Sequence, residues 1–356
     1  MWDVLDNPEV IERIDTQNML AALWNLPDQC REAWEIGNHV DLPAEVKVNK
    51  IVVTGLGGSA IGGDLLRVFS TDKAAVPVFV NRHYSLPLFV DQQTLVFAVS
   101  YSGNTEETLS AYEIASEKRA PMIVLTTGGK LKNMAQADKA PVITVPGGIS
   151  PRSATGYLFI PMLAVLERMG FVTGISEEVT ELIQQLKLLR DQLGPQAGLS
   201  GNLSKQLATR LYGHIPVIWG SSGTTEVVAQ RWKGQFNENT KTPAYWNVFP
   251  ELNHNEIVGF ETPAEILKNL FLIILRSKDD HDRVQKRIEI THQEIGEKVA
   301  GVAQIHSVGD TFLSRIYSLI YTGDYASIYL ALLYGIDPGP VKVIDRLKGA
   351  LASQQS

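Results

Sequence analysis

Short apolar, β-branched runs alternate with longer stretches of helical spacing along most of the chain. Residues 51–54, 76–80, 95–99, 121–125 and 142–145 have the length and composition of strands. Residues 57–69 and 104–118 between them carry helical patterns. Ahead of this region, Met19, Leu20, Leu23 and Leu26 fall on one helical face, with Asp15 placed to cap it. Residues 154–169 and 177–193 predict two more helices, and the Gly- and Pro-containing segment 194–201 reads as a linker. The pattern then starts again. A strand at 215–219 leads into the turn Gly220-Ser221-Ser222-Gly223 and a helix at 224–236. Further strands are expected at 244–248, 270–275 and 303–308, followed by a long helix at 312–333. The second strand, Gly/Ser turn and helix repeat those of 51–69, so the chain predicts two related lobes. Each is expected to be an α/β, doubly wound lobe with a parallel sheet flanked by helices. The expected boundaries are 1–150 with a helical N-terminal extension, linking helices over 151–200, and 201–356 with a C-terminal helix.

Composition narrows the class. The 356 residues are 44% hydrophobic and 20% charged, with a formal net charge of -7, as in a soluble globular protein of two domains. Negative charge disfavours a nucleic-acid surface and leaves any anionic ligand to be held by local groups. The single cysteine, Cys30, cannot form an internal disulfide or a Cys/His zinc site. The first fifteen residues are acidic and amphipathic, unlike a signal peptide. No apolar run reaches the ~20 residues of a membrane span. The expected compartment is the cytoplasm, with neither membrane nor nucleic acid as a partner.

Two turns carry the densest local signal. Gly57-Gly58-Ser59-Ala60-Ile61-Gly62-Gly63-Asp64 and Ser100-Tyr101-Ser102-Gly103-Asn104-Thr105-Glu106-Glu107-Thr108 each follow a predicted strand. Ligands of open parallel sheets bind at that strand end. Glycine admits close backbone approach, helix-start N–H groups attract anions, and Ser and Thr add neutral donors. Four hydroxyls, Ser100, Ser102, Thr105 and Thr108, surround one glycine in the second turn, which predicts a phosphate site. Gly55, Gly57 and Ala60 also fit a dinucleotide fingerprint weakly. The second strand, however, ends in Asn81-Arg82 rather than in an acidic ribose partner. No Gly-Lys-Ser/Thr follows either turn, so a nucleoside triphosphatase is not expected.

Candidates for acid–base chemistry lie farther along. Glu238 sits in Asn237-Glu238-Asn239-Thr240-Lys241, at the end of a predicted helix. His254 stands in a polar loop, Arg152 opens the linking helix, and Lys342 and Lys348 lie on an amphipathic C-terminal stretch. Taken singly, each is an ordinary surface or capping residue. Taken together, a carboxylate, a guanidinium and an imidazole suit proton transfer between adjacent carbons through an enediol.

Five segments in order resemble the bifunctional phosphoglucose/phosphomannose isomerases of the sugar isomerase (SIS) superfamily: GLGGSAIGGD (55–64), SYSGNTEET (100–108), PRSATGYLF (151–159), NENTK (237–241) and ELNHNEIVGF (251–260). The resemblance implies two SIS-type lobes with five parallel strands each, and a homodimer. It implies phosphate contacts from Ser59, Ser100, Ser102 and Thr105 with Gly58 close by, Glu238 as the base, and Arg152 at the enediol oxygens. It implies that His254 assists ring opening from the partner subunit. It also implies a C-terminal lysine at the ring oxygen, assigned to Lys348 with Lys342 as the alternative. No metal and no cofactor is implied. The loop Asp337-Pro338-Gly339-Pro340 offers no hydroxyl at Gly339, so a glucose or mannose preference does not carry over. A non-catalytic sugar-phosphate-binding regulator is the alternative of a different class. It would need the phosphate turns but not Glu238 and His254.

Overall fold

The computed structural model describes residues 2–42 and 47–353. A 3-10 turn, Trp2–Asp6, opens the chain and is followed by α1 (Pro8–Ile14), α2 (Met19–Trp24) and α3 (Leu26–His39). The Asp15 carboxylate accepts from the amides of Met19 at 2.8 Å and Leu20 at 2.9 Å, the capping role its position predicts. The expected continuous helix is interrupted at Asn25, where Pro27 lets a new first turn begin.

The first sheet holds β1 (Lys50–Thr54), β2 (Val78–Asn81), β3 (Thr94–Val99), β4 (Met122–Thr126) and β5 (Val142–Thr144). The strands are parallel in the order β2-β1-β3-β4-β5. Crossovers include α4 (Gly58–Ser70), α5 (Glu106–Glu117) and α6 (Gly129–Ala137). β3 and β4 are buried throughout, as strands covered on both faces must be. Strand order reverses between β1 and β3, so a crevice opens at their C-terminal ends.

α7 (Thr155–Arg168) and α8 (Ile175–Leu193) lead to the second lobe, which begins with α9 (Leu203–Leu211). There β6 (Ile215–Ser221), β7 (Tyr245–Phe249), β8 (Leu270–Arg276) and β9 (Gly301–His306) pair in parallel in the order β7-β6-β8-β9. α10 (Glu226–Gln235), α11 (Ala264–Leu267) and α12 (Asp282–Ile295) connect them, and α13 (Phe312–Leu333) and α14 (Lys342–Ser353) follow. Four strands, not the five implied by resemblance, form this sheet among the described residues. The four match those legible as apolar runs.

Every residue of α13 from Leu313 to Leu333 is buried. A mainly apolar helix buried on all sides belongs inside a core, and no helix among the described residues is long and apolar enough to cross a membrane. The largest core joins both lobes. It runs from Val53 and Phe97 of the first sheet, through Leu163 of α7 and Ile320 of α13, to Ile218 and Ile273 of the second.

Candidate active site

The two hydroxyl-rich turns meet at the C-terminal edge of the first sheet. Ser59 Oγ accepts from the Tyr101 amide at 3.4 Å, which joins one turn to the other. Ser100 Oγ accepts from the Gly103 amide at 3.1 Å and shares a hydrogen bond with Thr105 Oγ1 at 3.0 Å. Ser102 Oγ accepts from the Asn104 amide at 3.3 Å. Gly103 has φ +67, and a Cβ there would come within 1.8 Å of the Gly128 carbonyl oxygen, so only glycine closes this turn. No side chain caps α4 or α5, which leaves their first turns able to face an anion. Thr108 departs from the expectation. It is fully buried in the first turn of α5, so its hydroxyl is not offered at the surface.

Gly58 carries the phosphate turn to the next group. A Cβ at Gly58 would lie 2.9 Å from the Pro151 carbonyl oxygen, so the turn is seated directly on the segment that bears Arg152. That residue stands on a 3-10 turn, Pro151–Ser153, with its side chain only 7% exposed. Its five N–H groups are all engaged. Nε donates to Asn239 Oδ1 at 2.6 Å. Nη1 donates to Ser150 Oγ at 2.8 Å and to Glu238 Oε2 at 3.5 Å. Nη2 donates to the carbonyls of Pro338 at 2.6 Å and Gly339 at 2.7 Å. Burial pulls its pKa below the ordinary arginine value, while the Glu238 charge pushes it back up. It stays a cation.

Glu238 lies on a π-turn, Phe236–Thr240, into which α10 changes at its C-terminal end. Such turns re-aim side chains and recur at functional sites. The carboxylate side chain is 36% exposed, so it opens toward solvent while touching Arg152.

Behind the pair lies a buried network that the sequence did not reveal. Arg231 donates to both oxygens of Asp324, at 3.1 and 2.5 Å, and to the Arg152 carbonyl at 2.7 Å. Gln235 Nε2 donates to Asp324 Oδ1 at 2.7 Å. Asn239 Nδ2 donates to Ser327 Oγ at 2.8 Å, so the π-turn is bolted to α13. The one available signal was Asp324 itself, the one carboxylate of a mainly apolar helix.

The structure does not bring every expected residue to this place. α10 runs back from the C-terminal end of β6, so Glu238 lies at the N-terminal edge of the second sheet. His254 ends the 3-10 turn Glu251–His254 that follows β7 and is exposed. Among the described residues it makes no hydrogen bond or ion pair with Glu238 or Arg152. Lys342 and Lys348 are exposed on α14. Among the described residues neither makes a hydrogen bond or ion pair with the site.

The second lobe repeats the first turn with a different outcome. Thr224 Oγ1 donates to Asp280 Oδ1 at 2.5 Å, and the Ser277 amide donates to Asp280 Oδ2 at 2.9 Å. A carboxylate of the chain already engages the Thr224 hydroxyl of this turn.

Comparison with known proteins shows the family. Residues 46–167 match the SIS domain, and residues 200–351 match the bacterial phospho-glucose isomerase C-terminal SIS domain. A bifunctional phosphoglucose/phosphomannose isomerase of Caldicellulosiruptor bescii is 51% identical over 94% of this chain and 99% of its own length. The chain belongs to the bifunctional phosphoglucose/phosphomannose isomerase family. A family member from Aquifex aeolicus is 38% identical over 85% of this chain and 90% of its own. The fold is shared more widely. A hypothetical protein of Thermus thermophilus superposes with a TM-score of 0.77 at 16% identity, covering 98% of this chain and 94% of that one.

Proposed function

We propose that this isomerase interconverts glucose 6-phosphate or mannose 6-phosphate with fructose 6-phosphate through a cis-enediol. One observation carries the reading. An open carboxylate, Glu238, touches a buried guanidinium, Arg152, whose own segment is packed against the hydroxyl-rich turn at Gly58. The phosphate would be held by the backbone of Gly58 and the hydroxyls of Ser59, Ser100, Ser102 and Thr105. Carbons one and two of the sugar would then lie beside Glu238. The carboxylate takes the C2 proton of the aldose and returns it to C1. The Arg152 cation offsets the negative charge that builds on the oxygens meanwhile. The step as written calls on no metal and no cofactor.

Ring opening requires a second chain in this proposal. His254 makes no hydrogen bond or ion pair with Glu238 or Arg152 among the described residues, and it would enter from the partner of a homodimer. The exposed apolar face of α14, Val343, Ile344, Leu347 and Leu351, fits the same idea, since an isolated helix with such a face is marginal in water. Lys348 would serve the ring oxygen once α14 is covered, with Lys342 as the alternative. The decisive test is Glu238→Gln. It should abolish turnover of all 6-phosphates in a panel of glucose, mannose, ribose and glucosamine, assayed with chelator present, while substrate binding persists. Full turnover by that variant would refute the assignment of the base.

A further inference from the structure

The π-turn that bears Glu238 is a strained place for a general base. Its i→i+5 geometry is weaker than α-helix, and the residue that ends it, Lys241, sits at φ 59, a region that a non-glycine side chain adopts at a cost. The turn is nevertheless tied at each neighbour of Glu238. Asn237 Nδ2 donates to the Thr242 carbonyl at 2.9 Å, and Asn239 joins Arg152 to Ser327. At Glu238 itself, the main-chain carbonyl accepts from Lys241 Nζ. The same ammonium donates to the Pro338 carbonyl at 3.3 Å, the oxygen that also accepts from Arg152 Nη2. That carbonyl is a fixed point. Asp337 holds the loop by accepting from the Gly339 amide at 2.9 Å and from Thr16 Oγ1 at 2.5 Å.

We propose that Lys241 is a positioning residue for the isomerisation: its ammonium clamps the Glu238 main chain to the Pro338 carbonyl gripped by Arg152, and so sets the aim of the carboxylate. The clamp's left-handed backbone brings the lysine stem back across its own turn, where a regular helix would send it outward. The role rests on Glu238 being the base, and it is separate from the ring-oxygen role assigned to α14. The groups facing the ammonium are Arg152, Asp337 and Glu238. Desolvation and the Arg152 charge lower the Lys241 pKa, and Asp337 and Glu238 oppose them.

The test compares Lys241→Met and Lys241→Arg in the full chain, with Glu238→Gln alongside. A shift of the base by about 1 Å costs on the order of 10²-fold in rate. Lys241→Met should therefore lose about that much in kcat, with KM little changed and an unfolding temperature equal to the parent's. Lys241→Arg should recover most of the loss. Its kcat should also persist at alkaline pH, where the parent declines as the ammonium loses its proton, because arginine does not deprotonate. Ethylammonium added to Lys241→Met should restore part of the rate. Parental kcat in Lys241→Met would overturn the proposal. So would an equal loss in both variants, an unaltered alkaline limb in Lys241→Arg, or a loss explained by a lower unfolding temperature. If Glu238→Gln is inert while Lys241→Met is unimpaired, only the clamp fails. If Glu238→Gln is active, the assignment of the base fails.

Discussion

Placing Glu238→Gln in one set of chains and His254→Ala in another separates a site built within one chain from a site built between two. Glu238 precedes β7 and His254 follows it. Among the described residues the two side chains share no hydrogen bond or ion pair. In a twofold dimer a complete site would therefore take Glu238 from one chain and His254 from the other. Each variant alone should be inactive, because each homodimer lacks one group at both sites. Differently tagged variants co-expressed in equal amounts should form heterodimers in about half of all dimers, each with one intact site of two. The mixture should then show about one quarter of parental activity, and heterodimers purified through both tags about half. The assay is the coupled oxidation of glucose 6-phosphate formed from fructose 6-phosphate, read with the dimer fraction from light scattering. A heterodimer as inactive as its parents would refute the reasoning, because it would place both groups in one chain's site.

Further outcomes follow from the same contacts. Arg152→Lys removes the fork that satisfies Asn239, Pro338 and Gly339, and should lower kcat by roughly 10²–10³-fold, measured at saturating substrate. Asp324→Ala strips the partner from buried Arg231 and should cost about 3–5 kcal/mol in denaturant unfolding. Ser100→Ala combined with Thr105→Ala should raise KM by roughly 10²–10⁴-fold and weaken inhibition by inorganic phosphate to match, since each of the two bonds lost from the proposed phosphate site is to a charged group, worth about 1.5–3 kcal/mol. Asp6 is held below its ordinary pKa of 3.8, chiefly by its hydrogen bond from Lys205. That contribution is complete above the unfolded value and is lost as pH falls through the folded one. The parent's unfolding temperature should therefore drop below about pH 4, and Asp6→Asn, already lower at neutral pH, should lack that part of the decline.

The alternating pattern was legible because parallel strands buried on both faces must be apolar throughout, as 95–99 and 270–275 are. The phosphate turns were legible because glycine and hydroxyl residues cluster there for backbone reasons that act locally. What escaped was chemistry carried by distant partners or by the main chain. Arg231 and Asp324 are 93 positions apart, and nothing near either names the other. The carbonyls of Pro338 and Gly339 accept from Arg152, and a carbonyl has no side-chain signature. The π-turn is hidden because helical spacing runs on through Phe236, and only the packing of Asn239 against α13 shows the change of pitch. The count of strands in the second lobe was read better from its apolar runs than from the family resemblance.

The core shared by both lobes bears on how a sugar enters and leaves. Leu163 and Ile320 sit within one packed body that touches both sheets, so the halves cannot swing apart like a clamshell without tearing that interior open. The rim is held as well, since the Pro338 and Gly339 carbonyls accept from Arg152 and Asp337 accepts from Thr16. A vise whose two jaws share one packed interior keeps the reacting groups in register from one turnover to the next.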